Sequence, residues 1–239
     1  MGSNEHHPLH IFLFPFLGHG HIIPTIDMAK LLAEKVVKAT VITTPLNAPF
    51  ICKAISKAKT SDENVIHIQT MDFPSAPVGL PHGCENTDSI SSVDMFQPFI
   101  MATALLQEPF EKLLLDQRPH CIVADMFFPW TTDSGTKFGI PRLVFHGISF
   151  SSLCAISCVA LYDDVSSDHS DSPFVIPNFP GEIEISRMHA GPFMKRKANA
   201  DHYRKVLGRK ARHVGPLSLR NENSQEKANR GKEASRITA

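Results

Sequence analysis

Several features that would assign this sequence to a familiar class of protein are missing. Its five cysteines form no Cys-x-x-Cys pair, which argues against a patterned zinc site and against a disulfide framework. No apolar run approaches the roughly 18 residues of a membrane-spanning helix. The N-terminus lacks the basic region of a secretory signal. We therefore expect a cytoplasmic protein with no metal site and no membrane span.

An excess of charge is also absent, because Lys plus Arg and Asp plus Glu both number 24 among the 239 residues. Bulk charge therefore gives no reason to expect nucleic acid as a partner. A hydrophobic content of 42% is enough for a sizeable core. From Lys195 onward, however, the chain is basic and poor in large apolar residues. We predict a folded domain over 1–195 and a loosely ordered segment over 196–239.

Short apolar or β-branched runs alternate with helical periodicity through the first domain. The runs predict strands over residues 10–16, 38–44, 64–70, 121–125 and 142–146. The periodicity predicts a first helix that begins after the Gly/His turn at 18–21. It predicts four further helices over about 48–59, 94–115, 129–139 and 149–161. This alternation is typical of a parallel sheet with helices on both faces, an α/β, Rossmann-like fold.

Two prolines add local expectations within these helices. Pro24 is predicted to occupy the first turn of the first helix, where a missing N–H is tolerated. Pro109 is predicted to kink one long helix over 94–115.

In such a fold, ligands bind beyond the carboxyl ends of the strands. A dinucleotide fingerprint fails there, since Gly18 and Gly20 are followed by Ile23 at the third glycine position. Thr43 and Thr44 stand where an acidic residue would contact a ribose. No phosphate-binding G-x-x-x-x-G-K-[ST] sequence is present either. We therefore predict no nucleotide cofactor at the first turn.

A hydrolase is the second interpretation of these strand ends. The sequence "GISFS" over 147–151 follows a strand and precedes a helix, as a nucleophile elbow does. An elbow would need glycine where Ser151 stands, and Ser149 is better explained as a helix N-cap. An α/β hydrolase-like enzyme is therefore only the runner-up.

The third interpretation is a histidine base, because His19 and His21 lie where the first helix begins. The positive end of a helix dipole disfavours the imidazolium form, so a histidine there can accept a proton from a hydroxyl. Asp125, at the end of an apolar strand, is the candidate partner that would orient the ring. Solvated turn histidines and a capping aspartate remain the alternative for these residues.

Five stretches together resemble the plant family of UDP-dependent glycosyltransferases that act on small acceptors. They are "GHIIPTIDMAKLLA", "KATVITTPLNAPF", "GLPHGCEN", "RPHCIVADMFFPWTTDSGTKFGIPRLVFHG" and "ADHYRKVLGRKARHVGPLSL". The resemblance implies the N-terminal, acceptor-binding domain of a GT-B enzyme. It also implies His21, rather than His19, as the base and Asp125 as its orienting partner. The implied reaction is inverting transfer of a hexose from a UDP-sugar, which is a co-substrate rather than a bound cofactor.

The same resemblance suggests an apolar acceptor pocket built from the strand ends and the sequence "MFFPW". The candidate acceptor-binding residues are His19, Phe127, Phe128, Trp130, His146 and Phe150. Such a pocket would suit flat flavonoid or terpenoid acceptors. The alternative is that each of these aromatic residues belongs to the ordinary core.

The sequence departs from the family pattern in several places. Val36 replaces the glycine expected after the first helix, and Arg212 stands where relatives usually carry tryptophan. The stretch near 197–200 joins two segments that the family separates by a helix and a strand. The donor-binding signature of a C-terminal domain is absent, and Trp130 is the only tryptophan. We therefore expect that the 239 residues alone transfer no sugar, either as a truncated transferase or as an inactive acceptor-binding fragment.

Overall fold

The computed structural model describes residues 9–56 and 66–148, together with 152, 155, 158, 159, 173–176, 179 and 182–185. The described residues up to Gly147 belong to one compact unit, and those from Ile148 onward belong to a second. Phe150, the segment 196–239 and most of the helix expected over 149–161 lie outside the described residues.

Strands and helices alternate along the first unit, as the sequence predicts. In chain order, the elements are β1 (His10–Phe14), α1 (His19–Ala33), β2 (Lys38–Thr43), α2 (Ala48–Ser56), β3 (Ile66–Thr70), α3 (Phe96–Leu105), α4 (Gln107–Gln117), β4 (Cys121–Asp125), α5 (Thr131–Phe138) and β5 (Arg142–Phe145). The strands form one sheet in the order β3-β2-β1-β4-β5, and every neighbouring pair is parallel. The predicted α/β, Rossmann-like fold is confirmed.

Alternation along β1 supplies a core on each face of the sheet. Phe12 and Phe14 pack with the buried side chains of α3 and α4 on one face. Leu13, between them, packs with buried residues of α1 and α2 on the other face. A strand buried on both sides must be apolar at successive positions, which explains the continuous apolar run in β1.

The centre of the sheet is the point where the direction of winding reverses. From β1 the chain proceeds through β2 to β3 on one side, whereas β4 and β5 lie on the other side. Residue pairing runs from Ile11 opposite Cys121 to Phe14 opposite Ala124. The carboxyl ends of β1 and β4 are therefore neighbours, at the place where α/β sheets most often bind ligands.

The prediction of one helix over 94–115 kinked at Pro109 is wrong. Two helices, α3 and α4, meet at Leu106, and Pro109 lies in the first turn of the second. A proline cannot donate to the carbonyl four residues earlier, and its ring collides with that carbonyl. The break at Leu106 places Pro109 where its missing N–H costs little.

The expected position of Pro24 is also wrong. Helix α1 begins at His19, so Pro24 lies inside the helix rather than in its first turn. Because proline has no N–H, the carbonyl of Gly20 receives no bond from position 24. The two histidines consequently lie within the first helical turn and not in the turn before it.

Val36, the replacement for an expected glycine, retains a glycine-like backbone. Its φ angle is 57°, in the left-handed region, and its N–H donates to the carbonyl of Ala33 at 2.9 Å. A β-branched residue in this conformation is strained. The turn geometry after α1 is therefore kept at a cost in stability.

The second unit contains two short strands that the sequence did not predict. These strands, β6 (Phe174–Val175) and β7 (Glu184–Ile185), pair in antiparallel fashion. Buried Val159 and Ile176 form a small apolar cluster in the same unit. None of the described helices combines the length and the apolar character needed to cross a membrane.

Candidate active site

His21 occupies the third position of α1, directly beyond the carboxyl end of β1. The extended backbone of Gly18 caps the helix, and its carbonyl accepts bonds from the N–H groups of His21 and Ile22 at 2.9 and 3.0 Å. The hydroxyl of Thr25 donates to the carbonyl of His21 at 2.9 Å. The backbone that carries the imidazole is therefore fixed on both sides.

Asp125, the last residue of β4, contacts His21 directly. The distance from Nδ1 of His21 to Oδ2 of Asp125 is 2.7 Å, and only 1% of the aspartate side chain is exposed, against 21% of the histidine. The N–H of Phe127 donates to the other carboxylate oxygen at 3.1 Å. A carboxylate can only accept hydrogen bonds, so Nδ1 carries the shared hydrogen, and in the neutral imidazole Nε2 then keeps its lone pair.

Arg142 supports this aspartate from the neighbouring strand, and the sequence analysis did not identify it. One guanidinium nitrogen donates to the carbonyl oxygens of Asp125 and Phe128 at 3.0 and 3.2 Å, and the other donates to Thr132 Oγ1 at 2.6 Å. Burial lowers the pKa of Arg142 to about 10, and the charge of Asp125 opposes that shift. Arg142 therefore stays charged near neutral pH.

His146 lies near the same pair, one residue beyond β5. Its Nδ1 is 3.2 Å from the sulfur of Met126. Burial lowers the pKa of His146, while the charge of Asp125 raises it. The net direction is downward, so His146 is neutral near pH 7. The charges of Asp125 and His21 both affect the pKa of His146, so His146 lies within electrostatic range of the candidate base.

His19 makes a different contact, although it lies only two residues before His21. Its Nδ1 pairs with Oδ2 of Asp88, and 40% and 44% of the two side chains are exposed. The ring of Phe50 in α2 contacts His19 edge-on at 4.6 Å. Asp88 is a partner that sequence reasoning missed, because it lies in the Pro/Gly-rich loop after β3.

This loop is anchored across the ends of β1 and β2. The N–H of Thr87 donates to the carbonyl of Leu17 at 2.8 Å, and Asn86 donates to Oδ1 of Asn47 at 2.6 Å. A methyl group at Gly18 would lie 2.5 Å from the hydroxyl oxygen of Thr87. An alanine at position 18 would therefore force the Thr87 hydroxyl to move.

The candidate aromatic residues separate into two groups. Phe127 lies beside the candidate base, with its ring centroid 5.7 Å from that of His21. Phe128 has no exposed surface and stacks on Phe14 at 4.1 Å, while Trp130 packs against Phe110 at 5.5 Å within the same core. Phe128 is thus a core residue and Trp130 is a partly buried residue packed on the same core, while their assignment to the acceptor pocket stays a prediction.

Phe16 is an aromatic neighbour that the sequence analysis did not select. Its ring contacts His21 edge-on at 5.5 Å and Phe127 at 4.5 Å. Phe150, the remaining aromatic candidate, lies outside the described residues. Within the part of the chain that the structure describes, no group of three or more His, Cys, Asp or Glu residues could hold a metal ion.

Comparison with known proteins identifies clear relatives, although no family model matches the chain. UDP-glycosyltransferase 73B1 of Arabidopsis thaliana is 43% identical over 265 residues, which cover 95% of this chain and 54% of the relative. Scopoletin glucosyltransferase of Nicotiana tabacum is 42% identical over 260 residues, with the same two coverages. The chain spans about half the length of the curated relatives it matches.

A solved structure gives the same correspondence in three dimensions. UGT73P12 of Glycyrrhiza uralensis, complexed with glycyrrhetinic acid 3-O-monoglucuronide, matches with a TM-score of 0.71 and 29% identity. The match covers 94% of this chain and 52% of that one.

The 265 residues matched in the Arabidopsis relative also exceed the 239 residues of this chain. That relative therefore carries internal residues that this chain lacks.

Proposed function

Since the chain belongs to the plant family of UDP-dependent glycosyltransferases and corresponds to their N-terminal half, we propose that it binds the sugar acceptor and supplies the general base for transfer. The observation that carries this proposal is the 2.7 Å bond between His21 Nδ1 and buried Asp125. It leaves Nε2 of His21 able to accept a proton, as a base for a hydroxyl requires.

The proposed reaction follows from that tautomer. Nε2 of His21 takes the proton of an acceptor hydroxyl, and Asp125 stabilises the imidazolium that forms. The acceptor oxygen then bonds to the anomeric carbon of a UDP-sugar while the bond from that carbon to the diphosphate oxygen breaks. UDP leaves with the electron pair, and the configuration at the anomeric carbon inverts. In the complete family enzyme, the UDP-sugar is held by the C-terminal domain.

The proposed acceptors are flat, largely apolar plant metabolites of the flavonoid or terpenoid type. Phe16 and Phe127 give the surroundings of His21 an aromatic character that suits such molecules. His19 and His146 would contribute polar contacts on either side. Among the relatives, one is named for scopoletin, and a Fragaria ananassa enzyme is named for the 3-O position of flavonoids.

The proposed location is the cytoplasm. The scattered cysteines support it, since Cys52, Cys84, Cys121 and Cys158 are free thiols in the described residues.

Acceptor binding without transfer is a second candidate function. It is favoured by the internal residues that the Arabidopsis relative has and this chain lacks.

Two measurements test the proposed function. Calorimetric titration of the purified chain with a flavonoid and a triterpenoid tests acceptor binding. Release of UDP from UDP-glucose, in the presence of an acceptor panel, tests transfer. Transfer is measured for the chain itself and for a chimeric enzyme, which is this chain joined to the second half of UDP-glycosyltransferase 73B1.

We expect acceptor binding by the chain and UDP release by the chimeric enzyme that His21→Ala removes. His82→Ala is the matched control, because His82 is an exposed histidine that belongs to neither histidine–aspartate pair. Failure of a folded preparation to bind either class of acceptor would contradict acceptor binding. Undiminished UDP release by His21→Ala would contradict the assignment of the base. UDP release by the 239-residue chain alone would overturn our expectation that it transfers no sugar by itself.

A further inference from the structure

Gly147, two residues beyond β5, lies against the first turn of α1. A methyl group at this position would be 3.3 Å from the carbonyl oxygen of Gly20. It would also be 3.4 Å from both Cα and Nδ1 of His21. The first distance is shorter than ordinary van der Waals contact and the other two are at its lower limit, so a methyl group at 147 would require the start of α1 to shift by a few tenths of an ångström, and a larger side chain would require more.

The imidazole of His21 has little room to yield to such a side chain. Phe16 meets the ring edge-on at an interplanar angle of 78°, and Phe127 meets it at 74°. Phe16 is itself only 3% exposed and packed in the core. Asp125 occupies the direction of Nδ1. Any movement away from Gly147 therefore distorts the hydrogen bond to Asp125 or compresses an aromatic neighbour.

The sequence of α1 allows this close approach. Pro24 cannot donate to the carbonyl of Gly20, so this carbonyl is not enclosed by the regular bond to position 24. The same carbonyl is the atom nearest to a methyl group at 147. The carbonyl of Gly20, which lacks the bond from Pro24, thus forms the close contact between the start of α1 and Gly147.

We propose that Gly147 is a positioning residue for His21, whose missing side chain lets the imidazole lie on Asp125 with Nδ1 protonated. Gly147 contacts neither the acceptor oxygen nor the anomeric carbon in the proposed reaction. It acts only through the orientation and tautomer of His21. Its relevance to catalysis rests on the proposed function, whereas its effect on the histidine does not. A larger residue at 147 would mix the two tautomers of His21 and leave fewer molecules with an unprotonated Nε2.

The test uses the full 239-residue chain labelled with ¹⁵N. Correlation of the ring nitrogens with the ring carbon-bound protons reports which nitrogen of each histidine carries hydrogen, and His21→Ala assigns the signals of His21. We expect a protonated Nδ1 in the wild-type chain, a displaced Nδ1 signal in Gly147→Ala, and loss of the single tautomer in Gly147→Val. The matched control is Gly20→Ala, because a methyl group at Gly20 would meet nothing within 4 Å.

Unchanged His21 signals in folded Gly147→Ala and Gly147→Val proteins would overturn the proposal. If Gly147→Val does not fold, Gly147→Ala decides, with Leu143→Ala as a control on the exposed side of β5. Turnover of the chimeric enzyme separates the two proposals. A tautomer that depends on Gly147, in an enzyme whose turnover ignores His21→Ala, would support positioning and contradict the base. If turnover needs His21 but the tautomer does not depend on Gly147, the result would support His21 as the base and contradict the positioning role of Gly147.

Discussion

The first turn of α1 carries two histidine–aspartate pairs that differ mainly in their surroundings. His21 pairs with Asp125 on the side of β4, where the carboxylate is almost fully buried. His19 pairs with Asp88 on the side of α2, where about two fifths of each side chain is exposed. A histidine and an aspartate therefore form a largely buried pair at His21 and Asp125 and a solvent-exposed pair at His19 and Asp88.

The difference lies in what holds each carboxylate. Asp125 ends a central strand, receives the N–H of Phe127 and has its own carbonyl bound by Arg142. Asp88 belongs to a short 3-10 turn over Thr87–Ser89, whose N-terminal cap is the side chain of Asn86. An exposed pair loses most of its energy to hydration and side-chain entropy, while a buried carboxylate must keep its partners.

The comparison shows why position in the sheet matters more than the motif itself. A histidine needs a fixed tautomer to act as a base, and only a carboxylate on a rigid element fixes it over time. Asp125 satisfies this condition because β4 pairs with strands on both sides. Asp88 is held by a loop. We therefore expect chemistry at His21 and a modest role in acceptor contact at His19.

The largest expected effect tests this division directly. In the chimeric enzyme, His21→Ala should lower kcat by roughly 10²–10⁴-fold, because the proton acceptor is lost. His19→Ala should change kcat by about fivefold at most, in keeping with the roughly 1 kcal/mol upper limit for an exposed pair. Initial rates of UDP release measure both. A crippling His19→Ala beside a mild His21→Ala would reverse the comparison.

Asp125→Asn sharpens the comparison by keeping the volume and changing the hydrogen-bonding pattern. With its oxygen bonded to the N–H of Phe127, the new amide would present hydrogens to Nδ1 of His21. The imidazole would then carry its hydrogen on Nε2, and kcat should fall by about 10²-fold or more. Histidine ¹⁵N spectra should show the opposite tautomer. An unchanged tautomer would mean that Asp125 does not orient His21.

His10 provides a third case, a buried histidine that pairs with no carboxylate among the described residues. Its Nε2 meets the hydroxyl of Thr40 at 2.8 Å, and burial, followed by the charges of Lys38, His67 and His120, lowers its pKa to about 4. Between about pH 6.5 and 4, His10 binds a proton in the unfolded chain but stays unprotonated in the folded chain. The free energy of unfolding should therefore fall as the pH drops through this window.

The size of this loss is at most about 1.4 kcal/mol per pH unit, or about 3 kcal/mol over the window. His10→Asn should flatten the dependence without abolishing it, because burial also lowers the pKa of His146. Urea unfolding at a series of pH values gives the slope. His82→Asn, at an exposed position, should leave the slope unchanged; an equal flattening there would contradict the role of His10.

Much of the fold is predictable because central parallel strands must be apolar on both faces. β4 is predicted to the residue, since its apolar run stops at a carboxylate. β1 is predicted two residues too long, because Pro15 and Phe16 continue the apolar run after pairing ends at Phe14. The strands β6 and β7 are only two residues each, too short for any alternation to indicate them.

The candidate site is less predictable, because its contacts join distant parts of the chain. His21 and Asp125 could be paired in advance because they lie at the carboxyl ends of neighbouring central strands. Asp88 could not, because its loop has turn residues and no periodicity. Phe127 and Phe128 are consecutive, and only the turn after β4 decides that one faces His21 and the other faces the core.

The smallest expected effect concerns the exposed pair itself. Asp88→Asn should lower the free energy of unfolding by no more than about 1 kcal/mol, and that difference should shrink further at about 1 M salt, where charges are screened within about 3 Å. Asp125→Asn should cost more and respond less to salt, because its carboxylate is shielded from the solvent ions. Urea unfolding of both variants at low and high salt measures this contrast. Equal costs with equal salt dependence would mean that burial does not distinguish the two pairs, and the reason for placing the base at His21 rather than His19 would then have to come from the acceptor alone.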